Sequence, residues 1–279
     1  MPRRQAAIIL VLFLGLAAAI LFLLLTEPQP KYRGRPLSYW VMLQDIDSSA
    51  ERRQAIDAIG TNGIPFLLKW MQYEPPKPNT GLSILRLLPW AKARQEKRER
   101  LADGSDSALW QLGTNAASAA PTLVSLLHDT NAPATAARAI RVLANIGNSG
   151  FAPLVSAIQD PHYPLRVYAL NVFGVPRHFG SNAIPVLIQC LNDTNNTDIP
   201  LLASLALGKN QSAPELSITA LEHCVITASD PYIRAGAMKS LSYYNELAKS
   251  ALPVLTNGLT DADPRVREAA TNAISQIAP

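Results

Sequence analysis

Apolar side chains over most of the chain recur at spacings of three or four residues, and polar turns separate these stretches. In the last stretch, Val266, Ala270 and Ala273 fall on one face of a helix. Asp263 can cap that helix, and Pro264 suits its first position, where a missing N–H leaves no hydrogen bond unmade. The pattern therefore predicts short amphipathic helices joined by tight turns.

The same pair of helices recurs at a period near thirty residues. Each unit opens with a small or apolar residue, a proline and an apolar helix, and these prolines are Pro65, Pro121, Pro153, Pro185, Pro214 and Pro253. Aspartates are expected to close the first helices, at Asp129, Asp160, Asp193, Asp230 and Asp261. Glycines are expected to end several second helices, at Gly60, Gly113, Gly147, Gly174 and Gly208.

One helix pair cannot bury its apolar stripe alone, so the repeats predict pairs that cover one another in a stack. The expected fold is all-α: an α-solenoid of about seven antiparallel helix pairs over residues 37–279, of the HEAT-like or ARM-type superhelical kind. Alanines in the second helices are expected to allow close packing on the concave side. Residues 74–112 break the period as an irregular insert, with a proline-rich loop, an apolar helix over 81–90 and a long helix over 91–112.

The N-terminus carries a different pattern. After a basic tail, residues 1–5, residues 6–25 contain neither charge nor proline. Twenty such residues make a helix of about 30 Å, the thickness of a bilayer's hydrocarbon core. We expect an uncleaved single-pass anchor rather than a cleaved signal peptide, because no small-x-small site ends the segment. The N-terminus is expected in the cytoplasm, with an extended linker at 26–36 and the repeats on the extracytoplasmic (periplasmic) side.

Charge is distributed unevenly along the chain. Residues 1–100 carry 15 Lys/Arg and 8 Asp/Glu, whereas residues 101–279 carry 10 and 13. A basic N-terminal part beside the anchor would suit an anionic membrane surface, although many soluble chains are as uneven. The long helix shows the bias on one face, with Lys92, Arg94, Lys97, Arg98 and Arg100 among Glu96 and Glu99. This face is either simply solvated, with an i,i+4 pair of Glu96 and Arg100, or a contact site for an acidic partner or lipid headgroups.

A second arginine series lies near the start of the second helices. Its members are Arg138, Arg166, Arg234 and Arg267. Such arginines either bond neighbouring turns of the stack or form a concave site for an anionic partner. Both series are carried forward as possible partner or lipid contacts.

No catalytic, cofactor-binding or metal-binding residues are recognisable. The four histidines stand at no metal-ligand spacing, and no phosphate loop or nucleophile elbow is present. Cys190 and Cys224 lie in apolar helical runs, which favours two buried thiols over a disulfide.

The repeat motif resembles HEAT repeats, particularly the variety called PBS-lyase HEAT-like. The segment 261–270, DADPRVREAA, is close to that family's usual wording, while 230–237 and 160–169 are looser copies. The segment 193–201 departs from it by lacking the arginine. The lead-in at 32–40, YRGRPLSYW, is similar to one that precedes HEAT repeats in bacterial proteins.

The resemblance implies a binding scaffold. We expect a membrane-anchored, non-enzymatic scaffold that binds a protein, with no cofactor, small-molecule substrate or nucleic acid. One alternative implied by the family name is a bilin lyase-like enzyme. A nucleic-acid-binding solenoid is a further alternative, which the −3 balance of residues 101–279 disfavours.

Overall fold

A computed structural model of the chain describes residues 28–43, 49–76 and 88–279. The predicted anchor and most of the predicted helix at 81–90 lie outside these residues. The described part is helical apart from one small hairpin. The helices, numbered α1–α15 in chain order, are Leu37–Met42, Ser49–Ile59, Ile64–Met71, Pro89–Leu112, Ala120–Leu127, Pro133–Asn145, Asn148–Gln159, Arg166–Phe173, Pro176–Phe179, Ala183–Cys190, Asp198–Asn210, Pro214–Thr227, Pro231–Ser242, Leu252–Gly258 and Pro264–Ile277.

The helices form seven antiparallel pairs within the described residues. Pairs 1 to 4 are α1/α2, α3/α4, α5/α6 and α7/α8; pairs 5 to 7 are α10/α11, α12/α13 and α14/α15, with α9 a short connecting helix. Successive second helices pack against one another from α4 to α15, and first helices touch their neighbours more sparsely. One continuous apolar core runs through the whole stack. This is the arrangement expected when each pair is covered by the next.

The expected irregular insert is a complete member of the stack. Helix α4 packs antiparallel to α3 and also against α1, α2 and α6. It is therefore the second helix of pair 2, and only the connection that precedes it is lengthened. The period is interrupted as expected, because the connection between α3 and α4 is long, but the interpretation of residues 91–112 as part of an insert was wrong.

The segment expected to be an extended linker is docked onto the first pair. Strands Lys31–Tyr32 and Arg35–Pro36 pair antiparallel across a turn. The ring of Tyr32 meets that of Trp40 edge-on at 5.8 Å, and the Trp40 indole N–H donates to the Tyr32 carbonyl. The linker expectation was therefore wrong for residues 31–36, because the apolar face of α1 offers the hairpin a surface to pack on.

Two sequence assignments within the repeats change. Asp230 does not close a helix: it is the N-cap of α13, where its carboxylate accepts from the Tyr232 amide at 2.8 Å. Gly208 does not end a helix either, because it lies inside α11, which ends at Asn210. A Cβ on Gly208 would lie 2.7 Å from the Ser240 Cβ, so this glycine serves the close approach of α11 and α13.

Side chains also bond consecutive repeats through backbone carbonyls. The Asn145 amide donates to the Trp110 carbonyl, and the Asn210 amide donates to the Phe173 carbonyl at 3.2 Å. The buried Tyr244 hydroxyl donates to the Leu207 carbonyl at 2.6 Å. Each bond adds a side-chain donor to a carbonyl in the last turn of the preceding second helix, where backbone donors are few.

Within 28–43, 49–76 and 88–279, every helix is too short or too polar to cross a bilayer.

Candidate functional site at a gap in the arginine–aspartate ladder

Two arginines of the second series join one repeat to the next. Arg166 donates to the carboxylate of Asp193 in the following pair, and the two side chains are almost completely buried. Arg234 forms a forked bond to Asp261, with both nitrogen–oxygen distances 3.0 Å. The hydrogen bond from Arg166 holds the pKa of Asp193 below its usual range. This series of arginine–aspartate pairs is called the ladder below.

The other two arginines are placed differently. Arg138 reaches back to the preceding pair, where it contacts Asp103 and the Tyr73 carbonyl. Arg267 is exposed and donates to the Asp261 and Ala262 carbonyls of its own turn. Arg138, Arg166 and Arg234 thus hold turns of the stack together, and their charges are already paired inside the molecule.

The ladder is interrupted between pairs 5 and 6. In α11, Pro200 stands where Arg234 stands in α13, since Ile199 and Ile233 precede them in the same buried register. On the opposite side, in pair 6, Ala228 stands at the position of the aspartate. The Ala228 carbonyl accepts from Arg234 of the same pair, just as the Asp261 carbonyl accepts from Arg267 of pair 7, so the two positions are equivalent. Both halves of one ionic bridge are therefore missing at the same junction.

An open groove of about 750 Å³ lies at this gap. Its walls are α10 with the following turn and one face of α12, and its lining is Ile188, Leu191, Asn192, Asp193, Thr194, Pro200, Leu216, Thr219, Ala220, His223, Cys224, Thr227, Ala228, Ser229 and Ile233. The residues from α12 recur at helical spacing, so one continuous stripe of the helix faces the groove. Leu216 at its rim is 60% exposed.

Exposed apolar side chains concentrate in the same part of the molecule. Among the described residues, nine large hydrophobic side chains are exposed, and six of them lie within residues 214–259. These six are Leu216, Ile226, Tyr232, Tyr243, Leu247 and Leu259. Leu216 is the one of the six that lines the groove, and exposed apolar area at a groove is typical of an interaction surface.

The groove holds few groups with reactive chemistry. Burial raises the pKa of Cys224 to about 11, so its thiol is protonated at neutral pH. Cys190 is likewise a buried free thiol, which confirms the expectation of two unlinked cysteines. Across the described ranges, no three His, Cys, Asp or Glu side chains are grouped as metal ligands.

The first basic series lies elsewhere, on the N-terminal half of α4. Lys92, Arg94, Lys97, Arg98 and Arg100 are all exposed there. Glu96 pairs with Lys92 at 3.9 Å, not with Arg100 as expected. The structure does not bring this series to the groove, so the two candidate contact regions are separate.

Sequence reasoning registered the missing arginine near residue 200 but not the groove. The aspartate missing at Ala228 was hidden because Asp230, two residues later, was taken for the turn aspartate. The signal was present as an irregular spacing of the aspartates.

Stacked helix pairs joined by polar turns place this chain in the class of α-solenoids. The sequence matches HEAT repeats over residues 151–242 and 218–279, which include the groove. Residues 151–279 are thus HEAT repeats, as the resemblance of their turns implied.

A similar solved structure is a chain from the complex of CpcE and CpcF of phycocyanin lyase from Nostoc sp. PCC7120. It is 25% identical, with a TM-score of 0.43 over 56% of this chain and 98% of that chain. No curated protein matches the sequence.

Proposed function

We propose that this chain is a membrane-anchored HEAT-repeat scaffold whose groove at the ladder gap binds a segment of a partner protein without catalysis. The observation that carries the proposal is the coincidence of the missing ionic bridge with an open groove whose rim carries the exposed side chain of Leu216. A bridge at this junction would place a guanidinium and a carboxylate across the groove. Its replacement by Pro200 and Ala228 leaves apolar surface open.

The groove's dimensions suit side chains of a peptide or helix. A volume of about 750 Å³ is in the range of sites that hold a few large side chains. Leu216 and Ile188 on opposite walls can cover an aliphatic or aromatic anchor of the partner. Binding energy at protein interfaces comes mainly from a few such anchors.

The anchor is proposed from the sequence alone. An apolar segment at 6–25 would hold the array at a membrane with its N-terminus in the cytoplasm and the repeats outside it. Protease treatment of spheroplasts, whose inner membrane is intact, tests this topology: we expect digestion of residues 26–279 without lysis. Digestion that requires lysis would contradict it.

Photocrosslinking in cells tests the groove. A photoreactive amino acid at Thr219, which faces the groove, is expected to capture a discrete partner. The same amino acid at exposed Ser125 on α5, in the same layer but remote from the groove, is the matched control. The adduct is expected to fall at least about fivefold in the double variant Pro200→Arg/Ala228→Asp, which keeps the net charge and restores the bridge.

Capture of a partner supports the proposal only if it depends on the groove. Equal adducts from Thr219 and Ser125, or adducts unaffected by the double variant, would contradict a groove site. Circular dichroism and the unfolding midpoint of the double variant establish that the array remains folded.

A further inference from the structure

One face of the N-terminal half of helix α4 carries basic and aromatic side chains without acids. Trp90, Arg94, Lys97 and Arg98 are spaced by four, seven and eight residues, which places them on one face of the helix. Trp90 is 63% exposed, an unusual fraction for a tryptophan. These four residues are called the basic aromatic face.

The acids of the same helix segment lie on the other side. Glu96 and Glu99 fall about 180–240° around the helix axis from Trp90. Glu96 is paired with Lys92, and Glu99 accepts from Gln95 at 3.2 Å. Arg94, Lys97 and Arg98 form no ion pair with any residue in the described ranges.

A pocket of about 250 Å³ adjoins the basic aromatic face. Trp90, Arg94 and Arg98 line it, together with Glu74. The Glu74 carboxylate is occupied elsewhere, because it accepts from the Ala134 and Thr135 amides at the start of α6. The cations at this pocket therefore remain available to an anionic group from outside.

The position of the anchor limits how far this face can be from a bilayer. The fold begins at Gln29, whose side chain accepts from the Ser38 amide at 3.0 Å. Three residues, 26–28, stand between it and the end of the apolar segment at residue 25, and the four Cα–Cα steps reach at most about 14 Å. Pair 1 must therefore lie near the membrane.

Pair 1 in turn holds α4. Arg52 donates to the Gly104 carbonyl at 3.3 Å, and Gln111 donates to Asp57 at 2.8 Å. The basic aromatic face begins about 10 Å along α4 from Gly104. The face is thus within a few nanometres of residue 25, where the apolar segment ends, and it lies on a helix that is fixed to pair 1.

We infer that the basic aromatic face binds the anionic phospholipid headgroups of the membrane that holds the anchor. Arginine and lysine side chains attract acidic headgroups, and tryptophan favours the level of the headgroups, with its ring partly in the apolar layer. The inference rests on the proposed anchor, and it names a second contact that orients the array on the bilayer surface. Exposed Leu88, next to the face, adds apolar area.

A spin label beside the face tests this inference on the full chain in lipid nanodiscs. Ala93→Cys places a nitroxide next to Lys97 without removing a charge; Cys190 and Cys224 are buried, and the unmodified chain gives the labelling background. In discs with about 30% phosphatidylglycerol, the label is expected to be protected from a water-soluble relaxation agent. In pure phosphatidylcholine discs, or at high salt, it is expected to be exposed.

The matched variants separate local charge from net charge. A triple variant with Arg94→Gln, Lys97→Gln and Arg98→Gln is expected to abolish the protection. Each basic side chain contributes about fivefold to the affinity for an anionic membrane, so three contribute about 100-fold. Lys69→Gln, Lys209→Gln and Lys239→Gln remove the same charge from exposed sites on other elements. These three are expected to leave the protection intact.

Each result decides a separate point. Protection that is the same in neutral discs, or lost equally in both triple variants, would overturn the inference. Incorporation of the chain into neutral discs reports on the anchor alone, because it does not require residues 94–98. A chain that stays out of neutral discs but binds anionic ones through this face would refute the anchor and keep the headgroup site.

Discussion

At the scale of single residues, an arginine in this array acts according to what the next repeat offers. Arg166 and Arg234 each meet an aspartate and become buried or half-buried bridges. Arg138 finds its aspartate in the preceding repeat instead, and Arg267 bonds only the carbonyls of its own turn. The same residue type near the same turn is thus either structural or exposed, and the neighbouring pair decides which.

The charge of Asp193 is expected to stabilise the fold in a pH-dependent way. Asp193→Asn keeps the acceptor for the Asn195 amide but removes the charge facing buried Arg166, so a loss of about 2 kcal/mol at pH 7 is expected. The pKa of Asp193 is lower in the folded chain than in the unfolded chain. Its contribution to the free energy of unfolding is therefore complete above the unfolded pKa of about 4, and it is lost as the pH falls through the folded pKa. Denaturant unfolding of the unmodified chain and of Asp193→Asn from pH 7 to pH 3 measures this effect. A difference in stability between the two that does not change with pH would contradict it.

Close packing of second helices is expected to make Gly208 intolerant of a methyl group. Gly208→Ala adds helix propensity worth about 1 kcal/mol, but its Cβ meets the Cα and Cβ of Ser240 within 3 Å. A net loss of about 1–2 kcal/mol is expected in thermal or denaturant unfolding. Gly236→Ala is the comparison, because its Cβ meets the movable end of Leu201; an equal or larger loss there would contradict the explanation.

At the scale of elements, the helices follow from local patterns, while their partners do not. Helix α4 was correctly expected as a long amphipathic helix, yet its place as the second helix of pair 2 depends on packing against α3 and α6. Helix α13 shows the opposite case: Asp230 was taken to close the preceding helix, because either of two polar roles, turn or cap, suits an aspartate there. The hydrogen bond to the Tyr232 amide distinguishes the cap.

The N-cap of α13 is expected to be replaceable by another capping residue. Asp230→Ala should lower the free energy of unfolding by about 1 kcal/mol, because the amide at the helix start loses its acceptor. Asp230→Ser should restore most of that loss, since its hydroxyl can accept the same bond. Equal losses in the two variants, measured by denaturant titration, would show that the carboxylate acts in another way.

At the scale of the whole molecule, each pair is expected to depend on the next. Met238 of α13 is 1% exposed and lies directly against Gly258 of pair 7. The aligned position in α15 is Thr271, which is exposed. The surface of α15 is thus more polar at this position than that of α13, which pair 7 covers.

Removal of pair 7 is expected to destabilise pair 6. A chain ending at Ser250 would expose the Met238 face, at a cost of about 3 kcal/mol or more, and its unfolding midpoint in urea should fall. A chain lacking only Ala278 and Pro279, both exposed, is the control. An unchanged midpoint in the shorter chain would mean that the pairs are stable independently of one another.

The sequence by itself determined the helical repeat, its prolines and most of its turn residues, because these follow from local backbone preferences and from apolar spacing along one chain. The tertiary structure decided what depends on residues about thirty positions apart. It placed α4 in the stack, assigned Arg166 and Arg234 to bridges, and aligned Pro200 with Ala228 at a gap. A groove exists only where two repeats meet, so no single stretch of sequence contains it.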